Sequence, residues 1–440
     1  MIEAGGPGAP TKGDDGAFHT ELLRPEVKPE SPLDALIRRR WIILGVIFLV
    51  TVINFVDRQT LSQLAPVICQ TFHLNNVQYG RIAAAFQFGM LSGEFPMGYI
   101  MDRWGVRLGL SFAVFWWSIA TGAQVFARNG LQFGMFRYWM GTGECGNYSG
   151  GVKTLTSLFS RKDRTLALGI FNSGSVIGSM IAPPVIVFLL TRYGFRIAFL
   201  VPALAGMVWV PLWWFIYGRE PKQEEVTYTS HISLLEMLRS PESWAIMMTR
   251  FFVGPVMQFY WIWMPKYLHD VQGMPMKELG WVCLIPYGLG GLGGVAGGWA
   301  ASVLYRRGIS TVKVRKILMY GGGVLCLASA LVPIQHATIM VVTAISVAIF
   351  ADNVVSAHMF GAITDLFPDE QAGRATGLTG LSGGLSGLLF PLLTGWLVDR
   401  VSYTPVFLLV GIMPLIGSAM LFLLSQRYRN WNKHLSSLTA

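Results

Sequence analysis

Residues 98–107, GYIMDRWGVR, form a short charged turn from which the fold of this chain can be worked out. The turn carries Asp102, Arg103 and Arg107 and separates two apolar runs, 80–101 and 108–127. A membrane-spanning helix needs about 20 apolar residues, so each run is long enough to cross a bilayer. Cytoplasmic turns between such helices are typically rich in arginine and lysine. The stretch therefore predicts a helical hairpin of a membrane protein, with this turn on the cytoplasmic side.

The composition indicates the same class of protein over the whole chain. Of the 440 residues, 52% are hydrophobic and 13% are charged, whereas about a quarter are charged in soluble domains. The 50 glycines suit close packing of helices in a membrane, and the 15 tryptophans and 27 phenylalanines suit its interfaces. This composition excludes a soluble globular protein, and the long unbroken apolar runs exclude a membrane β-barrel.

Apolar runs between turns and charges predict an all-α membrane protein with twelve spans. The predicted spans are 41–64, 80–101, 108–127, 131–157, 166–190, 197–217, 244–268, 279–304, 316–334, 338–362, 374–398 and 403–425. With a cytoplasmic N-terminus, the loops on that side carry about 20 lysines and arginines and the opposite loops about 7, so both termini are predicted to be cytoplasmic. The net charge of +10 then faces anionic headgroups, and no nucleic-acid partner is needed to explain it.

The longest cytoplasmic connection divides these spans into two halves. We predict a disordered tail at 1–36, a six-helix bundle at 37–217, a central loop at 218–243, a second six-helix bundle at 244–426 and a cytoplasmic tail at 427–440. No cleavable signal peptide is expected before the first span. A weak repeat supports the two halves, since Arg164 and Arg374 each precede a helix rich in glycine and serine. Such halves predict a transporter that binds its substrate between them, near the midplane.

The turn at 98–107 also resembles the GxxxDRxGxR signature of the major facilitator superfamily. The matching positions include Gly98, Asp102, Arg103 and Arg107. The resemblance implies that these residues form a cytoplasmic gate, in which Gly98 permits close packing while Asp102 and the arginines bridge helix ends. The second-half counterpart has Ser302 where the aspartate would fall, which argues against a symmetrical gate.

Further strings narrow the resemblance. They are FVDRQTL (55–61), RYWMGTGE (137–144), FNSGSVIGSMIAPP (171–184), WMPKYL (263–268) and ATGLTGLSG (375–383). From about residue 40 to 425 the chain resembles the anion:cation symporter family, particularly its hexuronate and galactonate transporters. The resemblance implies that Arg137 and Arg58 bind a substrate carboxylate and that Asp57 and Glu144 couple protons. It also implies a monomer in the bacterial inner membrane.

Charges inside the predicted spans point to the same residues. Asp57, Arg58, Glu94, Arg137 and Glu144 lie in otherwise apolar runs, and charge at membrane depth is costly unless it is paired or hydrated. Seven residues make nearly two helical turns, so Arg137 and Glu144 share one face about 10 Å apart, too far for a tight pair. Two glycines between them clear that face for a ligand or a helix. Adjacent residues point about 100° apart, so we expect one of Asp57 and Arg58 to face the cavity and the other a neighbouring helix.

These charges indicate a mechanism of anion and proton symport. Burial disfavours a charged carboxylate, so Glu144 or Asp57 can take up a proton outside and release it inside. Arg137 offers an organic anion a permanently charged, two-pronged partner, and protonation of a carboxylate frees the arginine paired with it. The proton gradient then drives uptake, with no cofactor or metal. The alternative is that these charges only fix helix packing.

Polar side chains in other spans are weaker candidates for binding the substrate. They are Asn172, Ser175, Tyr260, His358 and Thr379. Such groups suit a polyhydroxylated acid, although polar residues also hold helices together. The chain departs from the galactonate-type pattern at several second-half positions, which leaves the identity of the sugar acid open.

Other residues receive no functional role. Glu94 stays unassigned, and Lys153 is expected to extend to the membrane surface. The four cysteines, Cys69, Cys145, Cys283 and Cys326, are far apart in sequence and are expected to be packing residues.

Two further transport functions stay open, namely transport of another organic anion, such as an aromatic or dicarboxylic acid, and anion exchange. A membrane enzyme is disfavoured because the seven histidines are scattered and form no HxxxH pair. A non-transporting sensor is disfavoured because the tails and central loop are too short for an output domain. Arg137 argues against a pump for cationic drugs, because it would repel the cargo.

Overall fold

The computed structural model describes residues 32–218, 234–428 and 430. The predicted tails and central loop therefore lie largely outside the described residues, and their bounds stay predictions. Within these ranges all regular structure is helical, which confirms the all-α prediction.

The first half contains six long helices. They are α1 (Arg40–Gln63), α2 (Asn76–Arg103), α3 (Gly105–Ala123), α4 (Gly130–Leu158), α5 (Arg161–Tyr193) and α6 (Phe195–Tyr217). Shorter helical segments lie at Pro32–Arg38, Ala65–Thr71 and Gln124–Phe126.

The second half repeats this arrangement. Its long helices are α7 (Pro241–Asp270), α8 (Leu284–Arg306), α9 (Thr311–Cys326, prolonged by a 3-10 turn at Leu327–Ile334), α10 (Thr338–Leu366), α11 (Asp369–Arg400) and α12 (Thr404–Leu424). Short helices at Leu234–Arg239 and Met276–Val282 precede α7 and α8.

Local sequence accounts for several helix ends. Asn75 and Gln78 form a reciprocal capping box at the start of α2, with side-chain contacts of 2.8 and 3.0 Å. Asn129 caps α4 through the Gln132 amide. Gly194 separates α5 from α6 with φ of +88°, a conformation that a side chain would disfavour.

Nine helical segments of the described chain are long and apolar enough to cross a membrane. The three long helices outside that set are α2, α4 and α7, and each carries charged residues within its length. In the first half α1 packs on α5, and α2 and α3 pack on α4; in the second, α7 packs on α12 and α8 on α10. The halves meet mainly where α2 packs on α11 and α5 on α8. The least apolar helices thus help to surround the space between the halves.

Candidate functional site

A cavity of about 520 Å3 lies between the two halves. Its charged and amide lining residues are Arg58, Gln59, Gln87, Glu94, Arg137, Arg250, Gln258, Asp352 and Asn353. Both halves contribute, so a molecule in this cavity would contact both at once.

The first-half wall contains an ion pair between α1 and α4. Arg58 donates two hydrogen bonds to Oε2 of Glu144, from Nε at 3.1 Å and from Nη2 at 2.9 Å. The Glu144 side chain has no exposed area, whereas that of Arg58 is 21% exposed. The Arg58 guanidinium also lies over the Phe55 ring at 4.6 Å. Arg58 is therefore the cavity-facing member of the pair.

Arg137 lies next to this pair but does not join it. Its Nη2 donates to the Arg58 carbonyl at 3.1 Å, its Nη1 is 3.1 Å from the Met140 sulfur, and its guanidinium lies over the Phe86 ring. Its Nε has no hydrogen-bond partner among the described residues. Arg137 is thus a buried cation at the cavity wall with unused donor capacity.

The two glycines between Arg137 and Glu144 accommodate neighbouring helices. A Cβ on Gly141 would lie 2.3 Å from the Phe86 carbonyl oxygen in α2, and one on Gly143 would lie 2.8 Å from Trp116 in α3. Of the two occupants considered for this face, a ligand or a helix, the structure places helices there.

Asp57 and Arg58 point to different surroundings. Asp57 is fully buried, does not line the cavity and lies beside the Trp117 indole. Neither carboxyl oxygen has a hydrogen-bond partner of normal geometry in the described chain. The expectation that only one of the two faces the cavity agrees with this geometry, and Arg58 is the one.

Of the weaker candidates, only Ser175 lines the cavity. Asn172 is exposed elsewhere on α5. Tyr260 is buried and its hydroxyl bonds to Ser329, while the Thr379 hydroxyl bonds back to its own helix at Ala375.

His358 is held within the second half, away from the cavity lining. It lies 3.2 Å from Arg315 and 3.3 Å from the Gly297 carbonyl oxygen. Asn172, Tyr260, His358 and Thr379 therefore make no contact with the cavity in this conformation.

The residues of the 98–107 turn make contacts within the first half. Asp102 forms an ion pair of 2.8 Å with Lys153 on α4. Arg103 donates to the Tyr99 hydroxyl at 3.4 Å. Arg107 donates to the Trp214 carbonyl at 3.3 Å and lies over that ring. The Lys153 ammonium group thus reaches the exposed Asp102 carboxylate at the end of α2, in agreement with the expected extension to the surface, and it also donates to the Met101 carbonyl.

Gly98 behaves differently from the packing role expected of it. A Cβ there would meet no atom within 4 Å. In this conformation none of the described helices approaches closely at Gly98.

The second-half wall contains two charged residues that sequence reasoning missed, Arg250 on α7 and Asp352 on α10. Both lie inside predicted apolar spans, so the criterion that selected Arg58 and Glu144 would have found them. Glu94 also lines the cavity, and its carboxyl oxygens face the position of Gly380 on α11.

The halves are joined at the end of the bundle where α1 finishes and α2 begins. Asp399 accepts hydrogen bonds from the Asn76 amide and side chain, at 3.1 and 2.7 Å, and from the Val77 amide at 2.8 Å. Tyr79 donates to the Ile262 carbonyl at 2.9 Å. These contacts hold the two halves together at that end of the bundle.

The cysteines are free, and all but the half-buried Cys69 are buried. Cys145 also contributes to the cavity wall. In the described part of the chain, no cluster of three or more histidine, cysteine, aspartate or glutamate side chains is placed to hold a metal ion.

Two helical halves around a charged central cavity define a membrane transporter. The model of the Major Facilitator Superfamily matches residues 47–360 and 309–438, and the chain belongs to this superfamily of transporters.

Relatives and a solved structure agree with this class. The chain is 25% identical to the hexuronate transporter of Escherichia coli (strain K12), covering 88% of this chain and 94% of that one. It is 28% identical to the hexuronate transporter of Bacillus subtilis (strain 168), covering 84% and 91%. The structure resembles that of a D-xylose-proton symporter with a TM-score of 0.73, at 14% identity, covering 87% and 97%. Both of these relatives are hexuronate transporters, and the solved structure shares the fold of this chain.

Proposed function

We propose that this protein takes up a sugar acid, such as a hexuronate or galactonate, together with protons across the bacterial inner membrane. The observation that carries the proposal is the buried ion pair between Arg58 and Glu144 at the wall of a cavity shared by both halves. The names of the relatives supply the substrate class.

Protonation of Glu144 is the coupling step. A neutral Glu144 no longer balances Arg58, because the carboxyl group loses the charge that strengthens both hydrogen bonds. A substrate carboxylate then replaces Glu144 as the partner of Arg58, and the neighbouring Arg137 adds a second positive charge. Release of substrate and proton restores the internal pair.

Asp57 is the second protonatable group of the proposal. It is buried behind the cavity wall, close enough to Glu144 and Arg137 for their charges to act on it. Asp57 therefore acts on the substrate site through the charges of Glu144 and Arg137. Ser175 and the amide side chains that line the cavity supply hydrogen bonds for sugar hydroxyls.

The excess of lysine and arginine in alternate loops supports a cytoplasmic location for both termini. With that orientation, the end joined by Asp399 and Asn76 faces outward, and we propose that the cavity opens toward the cytoplasm in this conformation. Asp102, Arg103, Arg107 and Gly98 would form the gate in the opposite conformation. We expect a monomer to be sufficient for transport.

Uptake into proteoliposomes tests the proposal. Labelled glucuronate, galacturonate and galactonate are supplied outside, with an inward proton gradient imposed. At least one should accumulate above equilibrium, and a protonophore should abolish this accumulation. Uptake that needs an anion inside and ignores the gradient would instead indicate exchange, and no uptake of any sugar acid would refute the proposed substrate class.

A further inference from the structure

The second-half wall of the cavity carries an arginine that has no hydrogen-bond partner in the described part of the chain. Arg250 lines the cavity, and among the described residues it makes no hydrogen bond and no ion pair. Its guanidinium lies 5.4 Å from the Phe360 ring centre. An arginine in this setting, with its donors unused, is suited to bind an anion.

The surroundings of Arg250 leave room for this side chain. A Cβ on Gly383 would lie 2.6 Å from its Nε, and one on Gly254 would lie 3.6 Å from its Cζ. Two helices, α11 and α7, therefore carry glycine where the guanidinium reaches the cavity. Any larger residue at Gly383 would displace it.

Asp352 is the charged group that acts most on Arg250. Its Oδ1 is buried without a hydrogen-bond partner in the described chain. The two side chains are not in ion-pair contact, since no bridge within 4.0 Å joins them, in contrast to the 2.9 Å bridge of Arg58 and Glu144. Arg250 is thus available to a ligand without first breaking an internal pair.

Arg250 and Asp352 lie on helices that correspond to those of Arg58 and Glu144 in the repeat of the fold. Arg58 and Glu144 lie on α1 and α4, and Arg250 and Asp352 lie on α7 and α10, each six helices further along the chain. The cavity is therefore lined by cationic groups from both halves, and Gln258 and Asn353 of the second half also line it.

We propose that Arg250 forms a second carboxylate subsite and that the preferred substrate is a dicarboxylic sugar acid, bound at one end by Arg58 and Arg137 and at the other by Arg250. This inference rests on the proposed function and narrows its substrate class. A monocarboxylic sugar acid would leave Arg250 without a partner, whereas a dianion pairs with cations on both walls.

Competition between acids of equal length tests the inference. Full-length protein in proteoliposomes takes up a labelled sugar acid while unlabelled galactarate or galactonate competes. Galactarate should compete about 10-fold or more better, because one charged hydrogen-bonding group is typically worth that factor. Arg250→Gln should reduce the ratio of the two affinities by about 10-fold, and Arg250→Lys should restore part of it. Arg128→Gln, an exposed arginine outside the cavity, should leave the ratio unchanged.

The outcomes separate the two proposals. The second subsite would be overturned if galactonate competes as well as or better than galactarate in the unmodified protein. It would also be overturned if Arg250→Gln lowers the affinity for both acids equally. Either result would leave sugar-acid transport intact. If Arg250→Gln does not fold, the wild-type ratio and Arg250→Lys still decide the matter. Absence of uptake of every sugar acid would refute the proposed function, and this inference with it.

Discussion

Arg58 donates through both Nε and Nη2 to a single carboxylate oxygen of Glu144, at 3.1 and 2.9 Å. This contact joins α1 to α4 and has one member fully buried and the other facing the cavity. Removal of either partner leaves a charge without its counter-ion, which is strongly destabilising for a buried pair. A protonated Glu144 and a substrate carboxylate on Arg58 would together avoid that cost.

Glu144→Gln should abolish proton-driven accumulation while exchange of substrate continues. Glutamine has the shape of a protonated glutamate, so it mimics the state that accepts substrate but cannot release a proton. Whether substrate exchange continues is measured by the exchange of labelled against unlabelled substrate without a proton gradient. Glu278→Gln is the control, because Glu278 is exposed on the short helix Met276–Val282 that precedes α8. Accumulation that survives Glu144→Gln would remove Glu144 from the coupling step.

Arg58→Lys should raise the apparent KM by about 10-fold or more. Lysine keeps the positive charge but cannot reproduce the planar, two-donor contact that arginine makes with a carboxylate. Uptake at several substrate concentrations separates this effect from a loss of maximal rate. Arg128→Lys serves as the exposed control. An unchanged KM would mean that Arg58 does not bind the substrate.

The helices were predictable because long apolar runs specify them directly. The predicted first and fourth spans, 41–64 and 131–157, differ by one residue at each end from α1 and α4. Pairing between helices was not predictable in the same way, because it depends on how each helix is rotated. Sequence spacing correctly excluded a tight Arg137–Glu144 pair, yet it could not show that Arg58 is the partner of Glu144.

The second-half charges were missed for another reason. Arg250 and Asp352 lie in predicted spans, but the charged residues to which the resemblance assigns substrate binding and proton coupling all lie in the first half. Lys153 and Asp102 show a further limit, since their pairing joins α4 to the end of α2 and leaves no trace in local periodicity. Contacts of this kind, between residues far apart in sequence, can be identified only once the packing of the helices is known.

Asp399→Ala should favour the conformation in which the closed end opens. Its carboxylate accepts three hydrogen bonds from Asn76 and Val77 across the two halves. The contacts are exposed, so we expect a shift of about 1 kcal/mol, or about 5-fold in the population of the open state. The measurement is the rate at which an impermeant thiol reagent, added outside, labels Ala83→Cys in a cysteine-free background. Ala83 lines the cavity.

Asp270→Ala is the matched control for this labelling. Asp270 pairs with Lys266 on its own helix, so this ion pair does not connect the two halves. This variant should leave the labelling rate unchanged. Equal labelling in Asp399→Ala and the parent protein would show that these hydrogen bonds do not hold the halves together.

Gly141→Ala and Gly98→Ala should differ sharply in stability. A Cβ on Gly141 would lie 2.3 Å from the Phe86 carbonyl oxygen, so α2 and α4 must separate, at a cost of about 1–3 kcal/mol. A Cβ on Gly98 meets nothing within 4 Å, and alanine within a helix gains about 0.5–1 kcal/mol over glycine. Thermal unfolding in detergent should therefore show a lower Tm for Gly141→Ala and an equal or higher one for Gly98→Ala. If Gly98→Ala keeps its Tm but loses uptake, Gly98 is packed closely only in the opposite conformation, as its proposed role in the gate requires.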